Sequence, residues 1–233
     1  MKPALLLLHA FPLDSRMWES TMAAFERDYR VVAPNASDLL AAGPSIPAMA
    51  RAAHALMGSD PYIAVGVSMG GYIALELIGL FPKSLAGLVL VDTKAASDTP
   101  EARAGRDALI DDIRERGVAL ATQAMVSRLV APSAGPDVKA RIRAIVGEQD
   151  PRVVIQCSRA MRDRRDNTDL LPNISVPTLV VRGGDDLLMT REAMLAMAES
   201  IPNGRFVSLS GCGHLPPLEQ SEEFNNVLRN FLA

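Results

Sequence analysis

The 233-residue chain has a formal net charge of −3, and 22% of its residues are charged, which is ordinary for a globular protein. A chain of this length buries a full hydrophobic core, so it needs neither a disulfide nor a metal for stability. The charge gives no basic surface, and an aromatic content of 4% is too low for stacking nucleic-acid bases. We therefore expect no nucleic-acid partner.

Cysteine content and the amino-terminal segment bear on the compartment. The two cysteines, Cys157 and Cys212, are too few for a disulfide framework and suit a reducing environment. The apolar run from Ala4 to Leu8 is too short for the hydrophobic region of a signal peptide or for a membrane span. We expect a cytoplasmic protein without a membrane partner.

In chain order, short apolar runs alternate with helical patterns. The predicted strands are Leu5–His9, Arg30–Ala33, Tyr62–Val67, Leu85–Val91, Thr178–Arg182 and Arg205–Leu209. The predicted helices between and after them are Met17–Arg27, Ile46–Met57, Met69–Leu80, Arg191–Ser200 and Glu219–Leu232. Ser45 before Pro47 is typical of a helix start. This alternation predicts an α/β fold with an open, mostly parallel, doubly wound sheet.

Residues from about 93 to 172 interrupt this alternation, because they are helical in pattern and contain no convincing strand. The predicted helices are Arg103–Arg116, Val118–Leu129, Asp137–Val146 and Val153–Arg164. We interpret 93–172 as a helical cap inserted into a core formed by 1–92 and 173–233. Within the cap, Met125, Leu129 and Met161 either line a pocket or pack the cap onto the sheet.

The segment Gly66-Val67-Ser68-Met69-Gly70 matches G-x-S-x-G and joins a predicted strand to a predicted helix. A serine on so sharp a turn has a strained backbone, and its oxygen is exposed at the carboxyl edge of the sheet. The helix that follows offers backbone N–H groups to a developing oxyanion. Ser68 is therefore a candidate nucleophile; the alternative is a spectator serine in a glycine-rich turn.

Three histidines are available as a base for Ser68: His9, His54 and His214. His214 lies in a glycine-rich loop after the last predicted strand, which places it at the same edge of the sheet as Ser68. His54 falls inside a helical segment, where solvent-facing or packing roles are expected. His9 follows the first strand directly, where its side chain is expected to anchor the next loop.

Two candidate acids, Asp185 and Asp186, follow the predicted strand Thr178–Arg182. A carboxylate at this position would orient His214 and stabilise the imidazolium that forms during catalysis. The order Ser, Asp, His along the chain is the one that accompanies G-x-S-x-G. Spacing alone leaves both aspartates as candidates.

The other sequence patterns give weaker evidence about function. The scattered histidines, with no H-E-x-x-H or C-x-x-C, predict no metal site, and no G-x-G-x-x-G follows the first strand, which disfavours a dinucleotide. Cys212 is too near His214 in the chain to form a catalytic pair and is interpreted as a small filler. The charged run 162–166 is either an anion site or a solvated helix face, and we favour the second.

Four stretches together resemble the α/β-hydrolase superfamily over nearly the whole chain. His9-Ala10-Phe11-Pro12 with Trp18 resembles H-G-F-P…W, Gly66 to Gly71 resembles G-x-S-M-G-G, Val176-Pro177-Thr178 leading to Gly183-Gly184-Asp185-Asp186 resembles V-P-T…G-x-x-D, and Gly211 to Pro216 with Glu219 resembles G-x-G-H-x-P…E. The chain is most similar to the small, cap-bearing esterases, lactonases and cofactor-free perhydrolase-like enzymes.

The resemblance implies roles for individual residues. It favours Asp186 over Asp185 as the acid, and it makes the backbone N–H groups of Phe11 and Met69 the oxyanion hole. It implies a cofactor-free, metal-free serine hydrolase that cleaves a carboxylic ester of a small, partly hydrophobic substrate through an acyl-enzyme on Ser68.

Other functions remain open at this stage. The same three residues serve lactone opening, C–C bond hydrolysis, perhydrolysis or a lyase step, with a small-molecule ester or lactone as the expected partner. A non-catalytic small-molecule-binding protein of the same fold is a further alternative. Haloalkane dehalogenation needs a carboxylate where Ser68 stands and is disfavoured. The sequence also leaves open a homo-oligomer.

Three departures from the family pattern affect these expectations. Ala10 replaces the usual glycine after His9, and Asn35-Ala36-Ser37-Asp38 replaces an aspartate followed by a glycine-containing turn. The loop 35–45 is therefore expected to differ from that of relatives, which weakens inference about specificity. The usual amino-terminal β-hairpin is missing before the first strand, so we expect a smaller sheet of about six strands.

Overall fold

The computed structural model describes residues 2–233, and six strands within them form one sheet. The strands are β1 (Ala4–Leu8), β2 (Val31–Val32), β3 (Tyr62–Val67), β4 (Leu85–Val91), β5 (Thr178–Gly183) and β6 (Gly204–Leu209). Their order is β2-β1-β3-β4-β5-β6, and every neighbouring pair is parallel. The predicted fold class is confirmed.

The helices differ from the prediction mainly where the structure divides one predicted helix into two shorter ones. They are α1 (Glu19–Phe25), α2 (Ala36–Leu40), α3 (Ile46–Met57), α4 (Met69–Leu80), α5 (Pro100–Arg116), α6 (Val118–Ala121), α7 (Gln123–Val126), α8 (Pro136–Gly147), α9 (Pro151–Arg162), α10 (Arg191–Glu199), α11 (Pro216–Glu219) and α12 (Ser221–Leu232), with 3-10 helices at Ser15–Trp18 and Thr168–Asn173. The predicted helix Val118–Leu129 is two short helices, because the chain turns at Thr122. Helix α2 was not predicted. No helix within residues 2–233 combines the length and apolarity that a bilayer span requires.

Strands β1 and β3 are apolar throughout because both faces of the sheet are covered there. Every residue of β1, β3 and β5 is buried, so neither face of these strands meets water. A strand buried on both faces reads as a continuous apolar run instead of an alternating one. This is why the predicted bounds of β3 and β4 agree with the structure.

The sheet changes direction between β1 and β3. From β1 the chain moves outward on one side to β2, and it then crosses back to β3 on the other side. Loops that follow two strands on either side of such a point diverge and leave a crevice, where ligands bind in open α/β sheets. His9 and Ser68 are the first residues after these two strands.

Helix α4 approaches β1 more closely than any side chain would permit. A Cβ atom at Gly70 would lie 2.0 Å from the carbonyl oxygen of Leu8, and one at Gly66 would lie 2.2 Å from that of Gly70. Both glycines of G-x-S-x-G are therefore required by packing. The close contact fixes the position at which α4 leaves the sheet, and hence the position of Ser68.

Five helices, α5 to α9, occupy the segment between β4 and β5. The expectation that the run 162–166 forms a solvated helix face is wrong in part, because α9 ends at Arg162 and Arg164 is buried. Arg164 pairs with the buried Asp98 at 2.7 Å and lies over the ring of Tyr72 on α4. The charge run thus contains an internal ion pair that attaches this segment to α4.

We expect Gly70→Ala to lower the free energy of unfolding by about 3 kcal/mol or more, because the added methyl group would overlap a strand carbonyl. Gly105→Ala is the matched control: nothing lies within 4 Å of its Cβ position on α5, and alanine there should stabilise by up to about 1 kcal/mol. Urea unfolding followed by circular dichroism measures both. Wild-type stability of Gly70→Ala would contradict the described packing.

Candidate active site

Ser68 occupies a strained turn at the carboxyl end of β3. Its φ angle is +53°, a conformation that non-glycine residues rarely adopt. Its N–H donates to the carbonyl oxygen of Val91 at 2.9 Å, and its carbonyl oxygen accepts the hydroxyl of Thr93 at 2.8 Å. These two bonds to the end of β4 hold the turn, and the Ser68 side chain is left partly exposed at the edge of the sheet.

The backbone around Ser68 presents free N–H groups. Ser68 is the N-cap of α4, so the first N–H groups of the helix point toward it and the positive end of the helix dipole lies there. The N–H groups of Phe11 and Met69 donate to no other group within residues 2–233. Both side chains are buried. These are the donors that the family resemblance implied for an oxyanion, and that role stays a prediction.

His214 and Asp186 meet in the interior. The distance between His214 Nδ1 and Asp186 Oδ2 is 2.8 Å, and both side chains are at most 1% exposed. Burial is the largest single influence on Asp186 and acts against its ionisation, but the interactions with His214 and the other hydrogen bonds to this carboxylate together outweigh burial, so the pKa of Asp186 lies below its usual value. Asp185 is exposed, and its N–H donates to the Cys212 carbonyl oxygen. Of the two candidate acids, the structure brings Asp186 to His214.

The second ring nitrogen of His214 has no partner. Nε2 is buried and makes no hydrogen bond to any group within residues 2–233, including Ser68 Oγ. Because Nδ1 faces a carboxylate, the proton of a neutral ring belongs on Nδ1, and Nε2 carries a lone pair. In unliganded enzymes the nucleophile–base hydrogen bond is often long and tightens with substrate. The ring is therefore arranged as a proton acceptor.

Glu219 holds the loop that carries His214. Its Oε2 accepts the N–H groups of Ala131 at 2.7 Å and Gly213 at 3.0 Å, and its Oε1 accepts that of Leu215 at 3.0 Å. The N–H of His214 itself donates to the carbonyl oxygen of Leu129. One carboxylate thus joins the residues on both sides of His214 to the segment between β4 and β5.

Asp92 lies beside Asp186 and His214. It is the first residue after β4, it is fully buried, and its φ angle is +42°. The N–H of Gly183 lies 3.0 Å from its Oδ1 and 3.1 Å from its Oδ2. Burial and the nearby Asp186 carboxylate raise the pKa of Asp92 well above its usual range. The site therefore contains a second carboxyl group.

His9 joins two loops at the other side of the crevice. Its Nε2 accepts the N–H of Ala36 at 2.9 Å, and its Nδ1 lies 3.0 Å from the carbonyl oxygen of Ala10. Burial lowers the pKa of His9, so its ring is neutral. The loop 35–45, expected to differ from that of relatives, contains α2, whose first turn Asn35 and Asp38 cap reciprocally. His9 acts as the predicted loop anchor.

The remaining candidates lie as follows. His54 stacks on Phe81, in agreement with a packing role. Cys212 is a buried free thiol in the His214 loop. Of the three pocket candidates, Leu129 and Met161 are buried and Met125 is half-buried. The carbonyl oxygen of Leu129 accepts the N–H of His214, so Leu129 contacts the site directly.

Sequence reasoning missed Asp92 and left Glu219 without a role. Asp92 follows an apolar strand directly, as Ser68 follows β3, and this shared position was a usable signal. The register pairs Val67 with Val91, so Ser68 and Asp92 are equivalent residues past two adjacent strand ends. Glu219 occurred in the motif G-x-G-H-x-P…E, but its contact with Ala131 depends on tertiary structure.

This fold and this arrangement at the strand ends define an α/β enzyme with a serine, a histidine and an acid at one edge. The family model described as "Alpha/beta hydrolase family" matches residues 5–227. The chain therefore belongs to the alpha/beta hydrolase family.

Several known proteins are similar to the chain. A solved structure of a thermophilic esterase from Thermogutta terrifontis, with malate bound, has 34% identity and a TM-score of 0.91, covering 100% of this chain and 90% of that one. The pimeloyl-[acyl-carrier protein] methyl ester esterase of Aromatoleum aromaticum is 24% identical over 238 residues, 95% of each protein. A 2-hydroxy-6-oxononadienedioate/2-hydroxy-6-oxononatrienedioate hydrolase from a Pseudomonas species is 25% identical over 175 residues, 72% of this chain and 62% of its own length.

We expect Glu219→Gln to lower the free energy of unfolding by about 1.5–3 kcal/mol, because an amide replaces one accepting oxygen opposite buried N–H groups. Glu222→Gln, on the exposed surface of α12, is the control and should change it by less than about 0.5 kcal/mol. Urea unfolding at neutral pH compares the two. Equal stability of both variants would show that Glu219 does not hold the loop.

Proposed function

We propose that the chain is a serine hydrolase that cleaves a carboxylic ester of a small, partly hydrophobic substrate through an acyl-enzyme on Ser68. The observation that carries this proposal is the combination of Ser68 on a strained turn with a histidine whose Nδ1 is bound to Asp186 and whose Nε2 has no hydrogen-bond partner within residues 2–233. Strained backbone and an unpaired buried nitrogen are retained where function requires them.

In the proposed first half-reaction, Ser68 Oγ attacks the ester carbonyl carbon while its proton passes to His214 Nε2. The oxyanion accepts hydrogen bonds from the Phe11 and Met69 N–H groups. Asp186 stabilises the imidazolium without itself taking the proton. When the tetrahedral intermediate collapses, the C–O bond to the leaving group breaks, and the His214 imidazolium gives its proton to the departing alkoxide oxygen, so that a neutral alcohol leaves.

In the second half-reaction, water attacks the acyl carbon and gives a proton to His214. The bond to Ser68 Oγ breaks, the carboxylic acid leaves, and the proton returns from His214 to Ser68. No redox step or cofactor is needed to balance these steps.

Ester chemistry is favoured over its alternatives by the relatives. The Thermogutta terrifontis protein, at 34% identity, and the Aromatoleum aromaticum protein are both named esterases. The Pseudomonas hydrolase shows that other substrates occur among relatives, so lactone opening, C–C bond hydrolysis, perhydrolysis and lyase chemistry are the alternatives that a substrate panel tests.

We further propose that residues 93–172 act as a cap over the site. The contacts from Leu129 to His214 and from Ala131 to Glu219 support this placement, since they join the intervening segment to the His214 loop. Met125, Leu129 and Met161 are then the candidates for an apolar lining.

Ser68→Ala should reduce hydrolysis of p-nitrophenyl acetate by at least about 10³-fold, because the nucleophile is lost while substrate binding remains. Ser208→Ala, an exposed serine on β6, is the control and should retain wild-type turnover. A panel of short-chain esters and lactones assayed beside these variants ranks the substrate classes by kcat/KM. Undiminished turnover by Ser68→Ala would refute the assignment.

A fluorophosphonate probe separates an enzyme from a binding protein of the same fold. The wild type and Ser208→Ala should each gain one adduct in the mass spectrum, and Ser68→Ala should gain none. An unlabelled wild type would mean that Ser68 is not activated, and the non-catalytic alternative would then replace the proposed function.

Asp186→Asn should lower kcat for the same ester by roughly 10⁴-fold, because an amide in place of the carboxylate favours the wrong ring tautomer of His214. Asp185→Asn should leave turnover unchanged, since that side chain is exposed and makes no contact with His214. Steady-state kinetics on the two variants measures this difference. The reverse result would assign the acid to Asp185.

A further inference from the structure

The carboxyl group of Asp92 has an unusual environment for an aspartate. It is 0% exposed, and within residues 2–233 the only hydrogen-bond donor that faces it is the Gly183 N–H, which lies between its two oxygens. A buried carboxylate normally requires a cation or several donors, and otherwise it neutralises. If Asp92 were ionised, its two oxygens would share one hydrogen-bond donor, the Gly183 N–H.

The neighbouring groups make ionisation still less favourable. One oxygen of Asp92, one oxygen of Asp186 and one ring nitrogen of His214 all lie within 4.8 Å of one another. Asp186 has more hydrogen-bond partners than Asp92, because its Oδ2 faces His214 and its Oδ1 accepts the N–H of Leu188 at 2.7 Å. Two carboxylates this close in a buried site do not both ionise readily.

Among the other charged groups near Asp92, the positive charge of Arg182 favours ionisation of Asp92, but burial and the Asp186 carboxylate outweigh it. The guanidinium of Arg182, on β5, donates to the carbonyl oxygens of Gly184, Asp186 and Met189, and it makes no hydrogen bond to the Asp92 carboxyl group within residues 2–233. From the His214 loop, the Cys212 thiol has a pKa raised by burial and remains neutral.

The backbone at Asp92 shows that its position is built into the site. Ser68 and Asp92 are the two non-glycine residues with positive φ within residues 2–233, and each is the first residue past its strand. The N–H of Asp92 donates to the carbonyl oxygen of Val181 on β5 at 3.0 Å, which directs its side chain to the end of that strand. Such strain at a site indicates a constraint beyond packing.

We propose that Asp92 keeps its proton at neutral pH and donates a hydrogen bond to the Asp186 carboxylate, which fixes the orientation in which Asp186 receives His214. Asp92 is then a positioning residue that acts through Asp186. The pair carries one negative charge, so the His214 imidazolium is balanced by one anion.

The direction of the proton linkage follows from this protonation state. An unfolded aspartate releases its proton near pH 3.9, whereas the folded chain retains it. The contribution of Asp92 to stability is therefore full below that pH and falls as the pH rises through the neutral range. The raised pKa of Asp92 is consistent with this direction.

The first experiment compares urea unfolding of the wild type and Asp92→Asn between pH 5 and pH 7, a window that follows from those two states. Asparagine keeps both the shape and the donor to Asp186 but has no proton to release. The unfolding equilibrium constant of the wild type relative to Asp92→Asn should rise about tenfold per pH unit. Asp185→Asn, the exposed control, should keep a constant ratio to the wild type. A constant ratio for Asp92→Asn as well would mean that Asp92 is ionised, and the proposal would fall.

The second experiment tests the positioning role and rests on the proposed ester hydrolysis. Asp92→Leu, of similar size but without a donor, should lose roughly tenfold or more in kcat with KM unchanged, whereas Asp92→Asn, which keeps a donor to Asp186, should recover most of that loss. Equal activity of both variants would overturn the positioning role. If the wild type hydrolyses no ester, the proposed function fails, but the unfolding experiment still decides the protonation state of Asp92.

Discussion

Ser68 holds its positive φ between two hydrogen bonds to the end of β4, one from its own N–H to Val91 and one from the Thr93 hydroxyl to its carbonyl oxygen. Such a conformation costs of order 1–3 kcal/mol and persists only where the surroundings determine it. Here the surroundings are the apolar strands β3 and β4, buried in register, and the contact of α4 with β1 at Gly70. The stability of the sheet therefore maintains the geometry of the serine.

The sheet also positions the acidic and basic groups of the site, which follow the carboxyl ends of β4, β5 and β6. Parallel strands in register end at one edge, so residues far apart in the chain, such as Asp92, Asp186 and His214, meet without long side chains. Their burial strengthens every electrostatic interaction among them. The proposed acyl transfer uses this property, because a charge formed on His214 is balanced inside the protein.

The sequence predicted most of the fold because its signals were local. The bounds of α3, β3, α4 and β4 agree with the structure, since each is a strong apolar run or helical pattern with a clear stop. Helix α2 was missed because five residues give too little periodicity to detect. In the site, strand ends made an aspartate after β5 foreseeable as the partner of His214, and the family resemblance favoured Asp186 over Asp185. The burial of Arg164 beside Asp98 depends instead on packing between distant segments.

The Glu219 contacts have a consequence for how this chain can diversify. One oxygen of Glu219 is shared by Gly213, beside His214, and by Ala131, and a Cβ atom at Gly213 would lie 2.3 Å from the Ala131 nitrogen. An insertion or deletion next to residue 131 would displace His214 along with the segment. This junction therefore divides the segment into a part fixed to the His214 loop and helices that can vary without moving that loop; under the proposed cap role, those helices are where substrate preference can change.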